Sequence, residues 1–232
     1  MTAIVLAGGM GTRLQTVVSD VAKPMAAIKG KPFLEYLLNY LANNDITDII
    51  LSVGYKWETI RDCFGGSFQS IQSITYSFEE TPLGTGGAIM LALELCERDN
   101  VFVLNGDSFF SVNLRDLMDF HLNNNADITL SLKEVRNADR YGVVDLDNGR
   151  VVAMREKGYT SHGYINGGVY CIKRSVFAND EPLERFSFEQ FLMDNTGGLN
   201  IYGFPFDGSF IDIGIPEDYL KAQSLLPEWV KV

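Results

Sequence analysis

Three glycines within four residues, Gly8, Gly9 and Gly11, are followed by Thr12 and Arg13, and then by Lys23 and Pro24. Glycine has no Cβ, so its backbone can come close to a ligand. Successive free N–H groups in such a loop form a concave anion site. Arginine beside it can grip phosphate with two prongs, and lysine acts as a point charge. This pattern predicts a cradle for a nucleoside triphosphate. Two rival phosphate loops do not fit. The dinucleotide pattern needs a third glycine where Leu14 stands, and an acid after the second strand, which instead ends Val53-Gly54-Tyr55. The P-loop pattern needs a closing Gly-Lys-Ser/Thr, which is missing. A merely structural glycine turn would leave Arg13 and Lys23 without a purpose.

The elements that must position these residues follow from periodicity. A strand is expected over 2–6, immediately before the loop. Phe33, Leu34, Leu37, Leu38 and Leu41 recur at helical spacing after Pro32. Apolar strands over 47–53, 73–78 and 100–104 alternate with helices over 57–64 and 88–97. This rhythm implies βαβ units with right-handed crossovers. In such sheets ligands bind beyond the carboxyl ends of the strands. The glycine loop, a second loop from Glu79 through Gly84 and Thr85, and Asp107 each follow a strand, so they are expected along one sheet edge. Further on, Asn113 is placed to cap a helix reaching 123, and a strand is expected over 127–133. Asp147-Asn148-Gly149 marks a hairpin turn between strands over 141–146 and 150–156. A long strand over 163–172 contains Asn166-Gly167-Gly168. Ser187-Phe188-Glu189-Gln190 has capping-box form. Strands over 199–205 and 209–213 precede a last helix over 216–226.

Composition narrows the partners. The 232 residues are 46% hydrophobic, 21% charged and 12% aromatic, with a formal net charge of −11. Such an acidic chain is unsuited to sequence-independent binding of nucleic acid or of anionic lipid. It must also concentrate its cations wherever it binds phosphate. Cys63, Cys96 and Cys171 are far apart, and no CxxC pair suggests zinc or a disulfide framework. They are expected as small buried residues. His121 is expected on a solvated helix surface, and His162 in a polar loop. No signal-peptide pattern opens the chain, and no apolar run approaches the ~20 residues that span a membrane. A cytoplasmic protein is expected.

These motifs together resemble the sugar-1-phosphate nucleotidyltransferases. The likeness begins with Leu6-Ala7-Gly8-Gly9-Met10-Gly11-Thr12-Arg13-Leu14 and Lys23-Pro24-Met25. It continues through Pro82-Leu83-Gly84-Thr85-Gly86-Gly87, Asn105-Gly106-Asp107, Arg140-Tyr141-Gly142, Glu156-Lys157, Asn166-Gly167-Gly168 and Phe210-Ile211-Asp212-Ile213-Gly214. Thr16 and Gly158 stand where many members have proline. The resemblance implies a Rossmann-like three-layer α/β/α fold with a mixed, mainly parallel central sheet and a sugar-binding β insertion. It implies one domain, 1–232, with a nucleotide-binding half over 1–125 and a sugar-phosphate-binding half over 126–232.

The implied reaction is attack by a sugar phosphate oxygen on the α-phosphorus of a nucleoside triphosphate, with pyrophosphate leaving. The nucleophile is already an anion, so the difficulty is charge and alignment rather than deprotonation. By resemblance, Arg13, Lys23 and Asp107 are the catalytic residues. Leu6, Ala7, Gly8, Gly9, Gly11, Thr12, Arg13, Glu79, Gly84, Thr85 and Asp107 bind the nucleotide. Tyr141, Gly142, Glu156, Lys157, Asn166 and Gly167 bind the sugar phosphate, and Asp107 and Asp212 hold Mg²⁺. Resemblance also puts Glu79 where uridylyl and thymidylyl members carry glutamine. A carboxylate only accepts hydrogen bonds, which matches the adjacent N1–H and N2–H₂ donors of guanine and opposes the carbonyls of uracil. GTP is therefore the favoured triphosphate. The chain's length and its 210–219 stretch look most like members acting on D-glycero-α-D-manno-heptose 1-phosphate. Mannose 1-phosphate, another sugar with a uridylyl or thymidylyl donor, and a non-catalytic regulatory relative are the alternatives. A metal-dependent glycosyltransferase would need an Asp-x-Asp, and Asp107-Ser108-Phe109 lacks the second acid. A homodimer is expected.

Overall fold

A computed structural model describes residues 1–9, 21–136, 140–155, 162–177 and 185–231. In chain order the elements are β1 (Thr2–Leu6), β2 (Ala27–Ile28), β3 (Lys31–Pro32), α1 (Phe33–Asn43), β4 (Asp48–Val53), α2 (Trp57–Phe64), β5 (Ser73–Phe78) and α3 (Gly84–Leu93). Then come β6 (Asn100–Asn105), β7 (Ser108–Phe110), α4 (Leu114–Asn123), β8 (Ile128–Arg136), β9 (Val143–Asp147), β10 (Arg150–Arg155) and β11 (His162–Lys173). The chain ends with α5 (Phe188–Asp194), β12 (Ile201–Pro205), β13 (Phe210–Asp212) and α6 (Pro216–Trp229).

Nine strands form one sheet in the order β5-β4-β1-β6-β11-β8-β12-β10-β9. The strands β5, β4, β1 and β6 are mutually parallel. Their alternating side chains serve two cores, because successive strand residues point to opposite faces. Ala3 and Val5 pack in a cluster with α1, α2, α4 and α6 residues. Ile4 packs in another with Ile89 of α3 and Phe188 and Leu192 of α5. Helices thus cover both faces, giving the three layers. The sheet is mixed as expected, with parallel pairing dominant only in its first half.

The antiparallel part begins at β11, which runs against β6 and β8. It also pairs with β9 through Tyr164 and Ile165. With β8–β12, β12–β10 and β10–β9 pairing, the strands β11, β8, β12, β10 and β9 close on themselves. Gly203 of β12 lets the ring pack, since a Cβ there would lie 2.5 Å from Leu132 and 2.7 Å from Leu146.

Several local expectations change. Helix α3 spans Gly84–Leu93 rather than 88–97, so the second glycine loop supplies a helix's first turn. Helix α6 continues to Trp229, with Pro227 inside it. Proline holds a helical φ but has no N–H, so Pro227 cannot donate to the carbonyl of Gln223 and the last turn lacks that bond. Cys63 is exposed, whereas Cys96 and Cys171 are buried. Asn113 caps α4 as expected, its side chain accepting from the N–H groups of Arg115 and Asp116. No helix among the described residues is long and apolar enough to cross a membrane.

His121 is the clearest correction. It lies on the buried face of α4 with Leu114 and Leu117, at 1% exposure, because it continues their helical spacing. Its Nδ1 is 2.9 Å from Thr129 Oγ1 and its Nε2 is 3.1 Å from Asn100 Oδ1. Burial pushes its pKa down from 6.5 to about 4. Between those values the unfolded chain binds the extra proton, so the folded state loses stability as pH falls from 6.5 towards 4. Urea titrations of wild type and His121→Asn across this range should show a shrinking wild-type advantage. The loss is of order 1.4 kcal/mol per unit of pKa shift. A difference that stays constant with pH would contradict a buried neutral imidazole.

Candidate active site

The carboxyl ends of β1, β4, β5 and β6 meet at one edge and surround a cavity of about 460 Å³. Leu6, Gly8, Gly9, Lys23, Glu79 and Asp107 line it, and Ser52 and Asn105 also face it. Two close approaches bring the strand ends together. Gly106 N donates to Leu6 O at 3.0 Å, and a Cβ on Gly106 would stand 2.4 Å from that oxygen. A Cβ on Gly8 would lie 2.8 Å from Glu79 Oε1, so a glycine here allows the carboxylate to reach the loop. Glu79 Oε2 accepts from Leu83 N at 2.9 Å, which fixes the direction of the carboxylate. Ala7 differs from its neighbours: it is fully buried in the core, and its N–H donates to Ser52 O.

Charge at this edge comes from three separate elements. Asp107 sits in the turn between β6 and β7. The ribbon of β7 and β13 pairs Ser108 with Asp212, and Ile213 N donates to Asp107 O, so the ribbon carries Asp212 alongside Asp107. Lys23 opens a short 3-10 turn, Lys23–Met25, whose Pro24 is buried. Lys23 Nζ donates to Asp107 Oδ2 at 2.6 Å and stands 3.9 Å from Asp212 Oδ1. Asp212 Oδ1 also accepts from Gly214 N at 2.6 Å. Burial, and next the negative charge of Asp107, hold the Asp212 carboxyl above its usual range, against the pull of Lys23 and Gly214. Residues assigned separately to phosphate and to metal are therefore electrostatic neighbours.

Thr85 lines the cavity, but its side chain is committed elsewhere. Its hydroxyl donates to Glu189 Oε2 at 3.0 Å and accepts from Phe188 N at 2.8 Å. Gly86 N donates to Phe186 O, and Phe186 N donates to Leu83 O. The first turns of α3 and α5 are thus clasped together.

A second cavity, of about 430 Å³, is lined by Tyr141, Gly142, Met154, Arg155, Asn166, Glu189 and Met193. Asn166-Gly167-Gly168 forms a bulge that shifts the register of β11 against β8. Gly168 has φ +74°, and a Cβ on Gly167 would lie 2.3 Å from the Phe110 ring. Gly167 thus packs on β7 while Asn166 faces the cavity. Asn166 Nδ2 donates to Tyr170 OH at 2.7 Å. Asn105 also hydrogen-bonds that buried hydroxyl, and burial raises its pKa. Tyr170 therefore joins the two cavities through a polar network that periodicity alone did not distinguish from core. Tyr141 packs edge-on against Phe210, and Arg140 pairs with Asp218 at the start of α6. Gly11, Thr12, Arg13, Glu156 and Lys157 lie outside the described residues. Glu189, Asn105, Ser52, Met154, Arg155 and Met193 were not singled out as site residues. Only the capping-box pattern marked Glu189, and it pointed to a helix start.

Another cavity, of about 680 Å³, lies between α1, α4 and α6, lined by Tyr40, Phe109 and Trp229 among others. Its Arg115 and Asp45 pair with each other, leaving the charge constellation at the sheet edge as the candidate reaction centre.

A parallel sheet edge here gathers a glycine loop, a mostly covered lysine and two carboxylates. The nucleotidyl transferase family model matches residues 2–228, and the chain belongs to that family of enzymes. The D-glycero-α-D-manno-heptose 1-phosphate guanylyltransferase of Aneurinibacillus thermoaerophilus is 48% identical, over 99% of this chain and 100% of that one. The Campylobacter jejuni protein of the same name is 44% identical, over 94% and 97%. The crystal structure of HddC from Yersinia pseudotuberculosis complexed with GMP-PN superposes with a TM-score of 0.85 at 38% identity, covering 96% of this chain and 97% of that one.

The clasp between α3 and α5 yields a stability test. A Cβ on Gly84, at φ +71°, would lie 2.4 Å from Phe186 O. Gly84→Ala is predicted to cost roughly 1–3 kcal/mol in urea unfolding, through strained backbone and forced separation. Unchanged stability would mean that the clasp does not hold in solution.

Proposed function

We propose that this chain transfers the guanylyl group of GTP to D-glycero-α-D-manno-heptose 1-phosphate, giving GDP-heptose and pyrophosphate. The observation that carries the guanylyl assignment is Glu79, a carboxylate braced by Leu83 N at the rim of the cavity that contains Lys23 and Asp107. It offers acceptors only, the complement of guanine's paired donors. The names and near-complete coverage of the two bacterial relatives support the heptose.

The chemistry is an in-line displacement. An oxygen of the sugar phosphate forms a bond to the α-phosphorus. The bond from that phosphorus to the bridging oxygen breaks, and its electron pair leaves with pyrophosphate. Three anionic groups must meet, so the protein's task is alignment and neutralisation. Lys23 contributes a positive charge beside the α-phosphate, and Arg13 is assigned to the departing phosphates. Tyr141, Gly142, Asn166 and Gly167 orient the sugar, with Glu156 on its hydroxyls and Lys157 on its phosphate. Gly8, Gly9, Gly11 and Thr12 cradle the nucleotide through the loop backbone. The residues fit a divalent cation: Asp107 in the β6–β7 turn and Asp212 at the end of β13, both hard oxygen donors, already share one cation, the Lys23 ammonium. They would hold Mg²⁺, which supplies charge neutralisation at phosphate oxygens when bound. The same reading carries a cytoplasmic enzyme, a single domain in two functional halves, and a homodimer.

Pyrophosphate release with GTP, UTP, dTTP, ATP and CTP, against heptose, mannose and glucose 1-phosphates, tests the assignment. GTP with heptose 1-phosphate should give the highest kcat/KM. Glu79→Gln should reduce the preference for GTP over UTP by roughly 5- to 150-fold, the worth of about 1–3 kcal/mol of mismatched polar contact. Turnover with UTP and not GTP in the wild type would overturn the guanylyl reading.

Chelation should abolish turnover, and added Mg²⁺ should restore it. Asp107→Asn and Asp212→Asn should each lower kcat by at least about 100-fold and weaken Mg²⁺ binding measured by calorimetry. Full activity in EDTA would remove the metal from the mechanism.

A further inference from the structure

Glu189 is the one described residue that lines both the cavity of Lys23 and Asp107 and the cavity of Tyr141 and Asn166. Its position is set by the clasp. Oε2 takes the Thr85 hydroxyl at 3.0 Å and the Ser187 hydroxyl at 2.7 Å. Among the described residues, Oε1 accepts no hydrogen bond. The neighbouring polar groups on the sugar side are more fully engaged. Asn166 donates to Tyr170 OH and accepts from Gly168 N, and Arg155 pairs with Asp145 at 2.7 Å. Met154 and Met193 contribute apolar wall. One carboxylate oxygen is thus held ready by two hydroxyl donors at the junction, with its ordering cost already met before a ligand arrives.

We propose that Glu189 is a specificity-determining residue that accepts a hydrogen bond from the sugar hydroxyl nearest the anomeric phosphate. The inference rests on the sugar-1-phosphate reading above. A molecule with its phosphate beside Lys23 and its ring beside Tyr141 must pass the junction at the carbon bearing the phosphate. The next carbon, C2, then presents its hydroxyl to Glu189. A carboxylate suits this task because it only accepts, a sugar hydroxyl can donate, and the charge strengthens the bond. A sugar lacking that hydroxyl leaves Oε1 desolvated and unpaired.

The intact protein can be tested by inhibition constants for mannose 1-phosphate and its 2-deoxy analogue, measured against heptose 1-phosphate turnover with GTP. Wild type should bind the 2-hydroxy sugar about 10-fold or more tightly, the usual worth of a hydrogen bond to a charged group. In Glu189→Ala this discrimination should fall to within about two-fold, with KM for GTP unchanged. Ser187→Ala removes one tether to Oε2 and keeps the acceptor, so it should retain the discrimination. The proposal is overturned by no discrimination in wild type, by discrimination that survives Glu189→Ala, or by an equal loss in Ser187→Ala. A rise in KM for GTP matching the loss of sugar discrimination would also overturn it. If wild type fails to turn over GTP with heptose 1-phosphate, the functional reading falls. Direct calorimetry with the same two sugar phosphates then decides Glu189 separately.

Discussion

Two carboxylates from separate segments, a turn and a strand end, are held against one ammonium group, and much of the molecule exists to bring them there. Asp107 comes off the end of β6, Asp212 arrives on β13, and Lys23 reaches in from a 3-10 turn. In a chain with net charge −11, bringing acids together raises their mutual repulsion. The raised pKa of Asp212 records that cost together with burial. Lys23 offsets part of it. A constellation of this kind already has the charge pattern that a metal ion and phosphates require.

The glycines near the site serve packing as much as ligand approach. Gly8 makes room for Glu79, Gly106 for the end of β1, Gly84 and Gly86 for Phe186, and Gly167 for Phe110. Each contact joins segments distant in sequence. The result is a site whose walls are braced by close backbone approach, where an added methyl group would separate them.

The Lys23–Asp107 cavity and the Tyr141–Asn166 cavity are linked by two bridges. One is the clasp of α3 to α5, which sets the position of Glu189. The other is Tyr170, buried between Asn105 and Asn166. Both run beside β11, the strand that carries the parallel sheet into the closed antiparallel ring. A shift of the bulge at Asn166 would move the Tyr141–Asn166 cavity relative to the strand ends.

What the sequence determined by itself is local. Apolar runs and their spacing marked the strands and helices of the parallel half, because burial on two faces leaves a continuous hydrophobic signature. Turn glycines, Asn113 and Ser187 marked where elements begin, because caps satisfy free N–H groups within a few residues. The strand-end placement of Gly8, Glu79 and Asp107 followed from βαβ geometry alone. Tertiary structure decided what depends on distant partners. His121 was read as solvated although its spacing from Leu114 and Leu117 puts it on the buried face; the groups that satisfy its ring, Thr129 and Asn100, lie on two other elements. Helix α3 starts at Gly84 because Phe186, about a hundred residues away, receives the N–H of its first turn. The position of Glu189 between two cavities was invisible for the same reason, whereas the grouping of Lys23, Asp107 and Asp212 was already implied by family resemblance. Local propensity extends over a turn or two of chain, whereas charge pairing and cavity shape depend on which surfaces the fold brings together.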